Sequence, residues 1–559
     1  MRWKNLIPRP DAHFPAWIIF PALFAALVAS HFTLLRLPSY WDEAGYYIPA
    51  AWDFFRTGSL IPISTLTNAH PPLPSVYLAL WWKLFSFCPM VTRLAVLAVA
   101  ALGLTAVARL AMRLVGIPAI AFWTVALTAL YPIWFAQSSL AHADVFAAVC
   151  TLWGLVYALP DPHPNQPCKP WAAAIWFAAA ALSKETAIAI PLTLAAISLI
   201  ESYRATGASR FRHRRDAAWL ASCVLPLAAW YAYHRAKTGF LFGNPEFLRY
   251  NAQANLEPLR FLAAFGHRIL HLTAHMNLFV PVTAALAALL LPPRTVNGRG
   301  QGSGVRDQGF VYGMEGYRQN DPVPDHPAIA SAALIRILLL LLMNAALFSV
   351  LGGALLTRYL LPLYPLVLLL AITTLYRRIR WWQGVAAFSA ATFILGLFVN
   401  PPYGFAPEDN LAYASVIRLH QAGIAQLNQR YPGATVLSAW PVTDELTRPE
   451  LGYVAESFAV VPIEDFTAGE IARAAQEPEK YSAALVFSTK YDPASPLFTL
   501  GPKSQALDER YFGLHHDLPP EEIAFDLRGS LIWQQQDQGQ WIALIRFNRQ
   551  FDARLESAP

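Results

Sequence analysis

Long apolar segments separated by short polar segments fill the first 400 residues of the chain. An apolar segment of about 20 residues is long enough to cross a bilayer as a helix. Segments of this kind predict about eleven transmembrane helices. They lie near residues 15–36, 91–113, 117–136, 143–159, 170–183, 186–202, 216–235, 270–291, 332–351, 359–376 and 382–399.

Two assignments in this series depend on segment length. The segment 73–87 has only about 15 residues, fewer than a span needs, and its "WWK" motif is typical of the membrane interface. We therefore expect it to lie flat on the outer surface. A single helix over residues 170–202 would be about 50 Å long, against a hydrocarbon core of about 30 Å. The motif "SKET" at 183–186 is therefore predicted to separate two spans.

The last part of the chain has a different pattern, with shorter apolar runs and more Asp, Glu and Gln. Strand-like runs alternate there with segments of helical periodicity, a pattern that predicts a small α/β domain. The predicted strands are 434–440, 481–489 and 541–547, and the predicted helices are 410–430 and 465–477. We therefore divide the chain into a transmembrane domain (1–400) and a C-terminal domain (401–559). The Gly-rich, polar stretch 294–330 predicts a flexible cytoplasmic loop.

Composition agrees with a membrane protein that crosses the bilayer several times. The chain is 55% hydrophobic and only 14% charged, whereas soluble domains carry about 25% charged residues. Its net charge of +6 is explained by cytoplasmic loops, so it does not indicate a nucleic-acid partner. The four cysteines show no CxxC spacing, which argues against a disulfide framework and against a zinc site built from cysteines.

Basic residues indicate the orientation, because the cytoplasmic loops of membrane proteins are enriched in Lys and Arg. They cluster before the first span and within 204–216 and 376–380. All three clusters lie on the same side of the membrane if segment 73–87, which contains "WWK", does not cross it. The N-terminus is then cytoplasmic, while the loop 37–90 and the domain 401–559 are extracytoplasmic. The expected location is the cell (cytoplasmic or inner) membrane.

In this orientation, polar and charged side chains collect at the outer ends of the helices. They are Asp42 and Glu43 in "WDE", His70 in "HPPL", His142 and Asp144 in "AHAD", Lys184 and Glu185 in "SKET", and Arg358 and Tyr359 in "RYLLPLYP". Ionisable residues at a membrane are costly and often functional.

Each of these residues also has a structural explanation. Asp42 and Asp144 would cap the helices that follow them. Lys184 and Glu185 would be solvated loop charges, Arg358 an interfacial anchor, and the two histidines structural. Only their common placement on the outer face favours a shared site.

The set of residue types fits one kind of chemistry. A carboxylate can act as general base towards an alcohol, while Lys and Arg can hold a phosphate, Arg through its two-pronged guanidinium. This combination suits glycosyl transfer from a lipid-linked phosphosugar, because the phosphate leaves as a stable anion without a general acid. Asp144 and Glu43 are the candidates for holding a divalent cation, should one be used.

Five motifs in order, "WDE", "HPPL", "AHAD", "LSKET" and "RYLLPLYP", span residues 1–376. In this order they resemble the GT-C superfamily of membrane glycosyltransferases, in the branch of bacterial enzymes related to protein O-mannosyltransferases (glycosyltransferase family 39) and aminoarabinose transferases. The resemblance implies a polyprenyl-phosphate sugar donor, an outward-facing active site and an inverting displacement.

The resemblance also implies roles for the candidate residues. Asp42 would be the base, with Asp144 and Glu43 supporting it or a metal. Donor phosphate would be bound by Lys184, Arg358 and Tyr359, and substrate by His70, His142 and Glu185. The motif "HPPL" continues with Pro74 where protein mannosyltransferases are expected to have a glycine-lysine pair. The acceptor (a lipid, glycan or protein) and the sugar therefore stay open.

Two other functions compete with this interpretation. A transporter or flippase of a lipid-linked substrate would place charges in the middle of its spans and contain inverted repeats, whereas the charges here lie at loop margins. A sensor would use 401–559 to bind a ligand, which would make the "WDE" motif incidental. The order of the motifs favours the glycosyltransferase.

Overall fold

The computed structural model describes residues 16–160, 168–243, 256–294, 328–351, 354–491, 493, 496, 502–513 and 515–547. Most of the predicted flexible loop 294–330 lies outside these ranges. The first 400 residues are helical. The described α-helices there are Ala16–Ser30, Ile48–Thr57, Leu73–Phe85, Pro89–Val115, Pro118–Leu130, Pro132–Gln137, Ala143–Ala158, Pro170–Ser183, Ala189–Arg204, Gly207–Ala221, Val224–Thr238, Pro258–Thr273, Phe279–Ala288, Ser331–Val350, Tyr364–Arg378 and Trp382–Phe398.

Within the described ranges, three helices are long and apolar enough to cross a membrane by themselves: Pro89–Val115, Glu185–Arg204 and Ser331–Val350. A fourth candidate is the pair Pro258–Asn277 and Phe279–Ala288, which is bent by 103° at its junction. Shorter apolar helices surround them. The protein is thus polytopic and helical, as predicted, while the number of about eleven spans stays a prediction.

The helix boundaries confirm the prediction that residues 170–202 do not form a single helix. Helix Pro170–Ser183 ends before Lys184, which is extended at φ −150° and ψ 126°, and Ala189–Arg204 follows a short 3₁₀ turn. The "SKET" motif therefore separates two helices.

The segment 73–87 forms helix Leu73–Phe85, whose 13 residues extend over only about 20 Å. Its Trp82 is buried, and the indole N–H donates to Thr92 at 2.9 Å. Part of the "WWK" motif therefore packs into the core. The orientation of this helix relative to the membrane stays a prediction.

Three predicted spans are interrupted in the structure. The span 117–136 breaks at Tyr131 because Pro132 lacks an N–H and favours an extended residue before it. The span 216–235 divides into Gly207–Ala221 and Val224–Thr238. The prediction of one helix over 270–291 is wrong, because the chain turns at residues 276 and 277, whose φ angles of 47° and 67° are left-handed.

The C-terminal domain contains a mixed five-stranded sheet. Its strands are β1 Thr435–Ala439, β2 Ala459–Ile463, β3 Ala483–Phe487, β4 Ser530–Asp537 and β5 Gln540–Arg546, in the order β2-β1-β3-β5-β4. The described helices of this domain are Ala412–Arg430, Val442–Thr447, Ala468–Ala474, Pro502–Phe512 and Pro520–Asp526.

Strand β1 pairs in parallel with β2 and β3, and β5 pairs antiparallel with β3 and β4. The small α/β domain is therefore confirmed. The two edge strands β2 and β4 were not predicted. Strand β2, with the sequence AVVPI, contains a proline, which argues against a strand, and strand β4 ends in the polar, exposed run QQQD.

The C-terminal domain packs directly on the loop that follows the first helix. The Tyr453 hydroxyl donates to the Ser39 carbonyl at 2.9 Å, and the Arg448 guanidinium donates to the Ser64 carbonyl at 2.9 Å. The 3₁₀ turn Pro407–Asp409 joins the two domains. These contacts bring the C-terminal domain next to the "WDE" motif.

Candidate active site

Four of the predicted site residues converge although they come from four separate connections of the chain. Asp42 precedes a π-helical turn, Glu43–Tyr47, a form of helix found frequently at functional sites. Asp144 lies in the first turn of helix Ala143–Ala158. Lys184 is the extended residue after Pro170–Ser183. Arg358 belongs to the 3₁₀ turn Thr357–Leu360.

Arg358 is the centre of this cluster. Its side chain is only 4% exposed, and it contacts three carboxylates, those of Asp42, Asp144 and Glu408. Nη1 donates to the two Glu408 oxygens at 2.6 and 2.5 Å, and Nη2 donates to Asp42 Oδ2. The guanidinium therefore holds Asp42 in place while a third of the Asp42 side chain, 33%, stays exposed.

Lys184 forms the second cationic element. Its Nζ donates to Asp144 Oδ1 at 2.5 Å and lies 4.0 Å from the centre of the Tyr359 ring. This arrangement combines an ion pair with a cation–π contact. Lys184 thus contacts Asp144 and Tyr359, and Asp144 also lies at ion-pair distance from Arg358.

Three buried atoms of the cluster make no hydrogen bond to the described part of the protein: His142 Nε2, Asp144 Oδ2 and Arg358 Nε. The last two are 3.3 Å apart, which is an ion-pair distance without hydrogen-bond geometry. Buried polar atoms without partners are rare in folded proteins and call for an explanation. A polar ligand would satisfy them.

The predicted histidines border the cluster. His142 is buried and its Nδ1 lies 2.9 Å from Gln137 Oε1. Burial, together with the positive charge of Arg358, holds the pKa of His142 well below its ordinary value. His70 pairs with Glu185 at 3.1 Å. The Tyr47 ring stands between the two histidine rings, at 5.8 and 5.9 Å.

Glu43 does not join its neighbour Asp42 at the cluster. It is 1% exposed and pairs with Arg93 at 2.5 Å. It also accepts hydrogen bonds from the backbone N–H groups of Tyr40 and Ala141, at 2.8 and 2.5 Å. Both carboxylate oxygens are therefore engaged by the protein itself, and a role for Glu43 in base or metal chemistry stays a prediction. In the structure, the Glu43 side chain links the segments that contain Tyr40, Arg93 and Ala141.

We expect Glu43→Gln to lower stability without changing the chemistry. The substitution leaves the buried Arg93 without its counter-ion, a change that costs roughly 3 kcal/mol. The measurements are the thermal unfolding midpoint in detergent and the activity per folded molecule. An unchanged midpoint with lost activity would place Glu43 in the reaction.

Glu408 is a member of the cluster that the sequence analysis missed. It lies at the domain junction in "PEDN", where two adjacent acids follow the last apolar helix, the same signal as in "WDE". Burial raises the pKa of Glu408 to about 8, because the nearby guanidinium of Arg358 offsets it only in part and neighbouring carboxylates add to it. The Glu408 carboxyl is therefore protonated at neutral pH.

Arg268 is the second residue that was missed. It is fully buried, at 0% exposure, and within the described ranges it has no carboxylate at ion-pair distance. Its guanidinium donates instead to the carbonyls of Phe348 and Leu356 at 3.1 and 2.7 Å. It lies 5.6 Å from the Tyr359 ring, so Arg268 and Lys184 both contact this ring. A buried cation without a counter-ion is suited to an anionic ligand.

The residues of this site are not arranged as a metal centre. In the part of the chain that the structure describes, no group of three or more His, Cys, Asp or Glu side chains is placed to hold a metal ion. Of the two candidates, Asp144 is paired with Lys184, and Glu43 with Arg93. We therefore assign no step to a cation.

No protein-family model and no curated protein sequence matches the chain. Among solved structures, ArnT from Cupriavidus metallidurans bound to undecaprenyl phosphate is similar, with a TM-score of 0.51 and 14% identity over 95% of this chain and 98% of that chain. The apo structure of ArnT from the same organism gives 0.46 and 13% over the same shares.

The likeness to the first ArnT structure identifies the class of fold. The chain is a polytopic helical membrane protein with a small C-terminal sheet domain. Its fold is that of ArnT, one of the kinds of enzyme that the five motifs resemble.

Proposed function

We propose that this protein is a membrane glycosyltransferase that moves a sugar from a polyprenyl-phosphate donor to an extracytoplasmic acceptor. The observation that carries the proposal is the single buried cluster formed by Asp42, Asp144, Lys184 and Arg358. It combines a partly exposed carboxylate with cations that suit a phosphate. The undecaprenyl phosphate bound by ArnT, a protein of the same fold, supports a polyprenyl-phosphate donor.

In the proposed reaction, the acceptor hydroxyl attacks the anomeric carbon on the face opposite the phosphate. The new C–O bond forms while the bond between the anomeric carbon and the phosphate oxygen breaks, and its electron pair stays on the phosphate. Asp42 takes the hydroxyl proton. The displacement inverts the configuration at the anomeric carbon.

The contacts of the two buried arginines suggest different roles for them. Arg358 is already engaged by three acidic side chains, so its proposed role is to hold Asp42 and Asp144 in place. Arg268 has only carbonyl partners in the described part of the chain. We therefore assign the donor phosphate to Lys184 and Arg268, which both lie near the Tyr359 ring, with Arg358 at the margin of this site.

Charge balance agrees with this assignment. With Glu408 protonated, the two carboxylates of Asp42 and Asp144 balance the two cations Arg358 and Lys184. The charge of Arg268 then remains for the phosphate. A free polyprenyl phosphate, the product, would be held by the same two cations until it leaves.

The function is tested with purified protein, undecaprenyl-phosphate sugars and an extract of cell-envelope acceptors. A glycosyltransferase releases free undecaprenyl phosphate only when acceptor is present. A flippase, the alternative function, would carry intact lipid across a vesicle membrane and release none. Transport without release would overturn the proposal. The extracytoplasmic orientation of the site remains part of this proposal and follows from the distribution of Lys and Arg.

The raised pKa of Glu408 leads to a pH prediction. A carboxyl with a raised pKa stays protonated up to that pH, so Glu408 ionises only as the pH passes about 8. The new negative charge then competes with Asp42 and Asp144 for Arg358. We expect transfer by the natural protein to fall above this pH.

The variant Glu408→Gln stays neutral at every pH and should lose this alkaline decline. The measurement is the transfer rate on both sides of pH 8 for the two proteins. Identical alkaline declines would show that another group is responsible.

A further inference from the structure

Two tryptophans meet at the turn of the chain that contains Asp42. Trp41 precedes Asp42 in the chain, and Trp440 directly follows β1 of the C-terminal domain. Their ring centres are 5.0 Å apart in an edge-to-face arrangement. Trp440 is 36% exposed, so part of its ring is accessible to a ligand. The pair therefore presents aromatic surface at the turn that contains the proposed base.

The backbone of Trp41 is in a conformation that bulky residues avoid. Its φ of 44° lies in the left-handed region, a strained conformation for a non-glycine residue that is found preferentially at functional sites. The strained residue is therefore Trp41, the member of the aromatic pair that directly precedes Asp42 in the chain.

Gly45 lets Trp440 approach the turn that follows Asp42. A Cβ atom at this position would lie 2.9 Å from Cζ2 of the Trp440 ring and 3.0 Å from its Nε1, closer than van der Waals contact permits. Only glycine fits against the ring. The C-terminal domain thus places an indole directly on the π-helical turn Glu43–Tyr47.

Polar groups border the Trp440 ring. Its Nε1 donates to Asp444 Oδ2 at 3.1 Å, and Arg448 pairs with the other Asp444 oxygen at 3.1 Å. Both charged side chains are about one-fifth exposed, at 20% and 19%. An apolar ring with a carboxylate and a guanidinium at its edge matches a sugar ring, which has an apolar C–H face and a rim of hydroxyls.

We propose that Trp41 and Trp440 form the acceptor subsite and that the acceptor is a carbohydrate. A sugar ring stacked on Trp440 would direct one of its hydroxyls to Asp42, and Asp444 and Arg448 would bind others. The C-terminal domain would thereby supply half of the acceptor site. This inference depends on the glycosyltransferase function proposed above, and it specifies the acceptor that the sequence analysis left open.

The test compares Trp440→Ala and Trp440→Phe with the natural protein. The control is Phe525→Ala, which removes another exposed aromatic ring, 81% exposed, from the same domain. The acceptors are octyl glycosides of hexoses and hexosamines, with serine- and threonine-containing peptides for comparison. The donors are undecaprenyl-phosphate sugars. Free undecaprenyl phosphate is measured, and its binding to each variant is measured separately.

We expect the natural protein to use glycosides and not peptides. Trp440→Ala should raise the KM for the glycoside about tenfold, with Trp440→Phe in between, because alanine removes the stacked ring and phenylalanine keeps a smaller one. Binding of undecaprenyl phosphate should be unchanged in both variants and in Phe525→Ala.

Two results would overturn the subsite: an unchanged glycoside KM in Trp440→Ala, or preferential transfer to peptides. In both cases, turnover by the natural protein would leave the glycosyltransferase function standing. Failure of the natural protein to bind undecaprenyl phosphate or to turn over any donor would instead reject that function, and the subsite with it.

Discussion

Asp42→Asn is expected to reduce sugar transfer by about 10²–10⁴-fold, the range that a general base contributes. The amide keeps the size of the side chain and an oxygen that accepts from Arg358, but it cannot take a proton from the acceptor. Folding and binding of undecaprenyl phosphate should therefore be retained. The measurement is the rate of undecaprenyl phosphate release at saturating donor.

The matched control for this substitution is Asp53→Asn in the same segment, 37–90. The Asp53 carboxylate accepts hydrogen bonds from the backbone N–H groups of Ile63 and Ser64, at 2.7 and 2.8 Å, a role that an amide oxygen can fill. Its activity should remain close to that of the natural protein. Normal turnover by a folded Asp42→Asn protein would remove Asp42 from the role of base.

Arg268→Gln is expected to weaken donor binding by about 10- to 100-fold, since a hydrogen bond to a charged group contributes roughly 1.5–3 kcal/mol. Glutamine can still donate to a backbone carbonyl, but it has no charge for the phosphate. Removing a buried cation that lacks a counter-ion should cost little stability. The measurements are the Kd for undecaprenyl phosphate and the thermal unfolding midpoint.

The control is Arg260→Gln, which changes another buried arginine of the same helix, Pro258–Thr273. Its Nε donates to the Tyr511 carbonyl of the C-terminal domain at 2.9 Å. We expect this variant to bind undecaprenyl phosphate normally. If both variants lost binding equally, the helix and not the Arg268 charge would be responsible. If neither did, the phosphate site would have to be sought elsewhere.

The sequence alone determined the class of the protein and most of the polar cluster. Apolar segment length identified a polytopic membrane protein, because the bilayer sets a minimum length for a helix that crosses it. The same argument located the helix break at "SKET". Asp144, Lys184 and Arg358 were recognised because charged residues at a membrane are costly and therefore rarely incidental. Alternating patterns identified three of the five strands, those that are largely buried.

The tertiary structure determined which charged side chains contact one another. Asp42 and Glu43 are adjacent in sequence, yet the π-helical turn directs one to Arg358 and the other to Arg93. Glu408 contacts Arg358 across 50 residues of chain, and Arg268 contacts carbonyls 80 and 88 residues away. Local sequence patterns show the periodicity of a helix or strand and identify charged residues that are costly at a membrane. They contain no information on which distant segments pack together. The partners of each buried charge therefore emerge only from the folded chain.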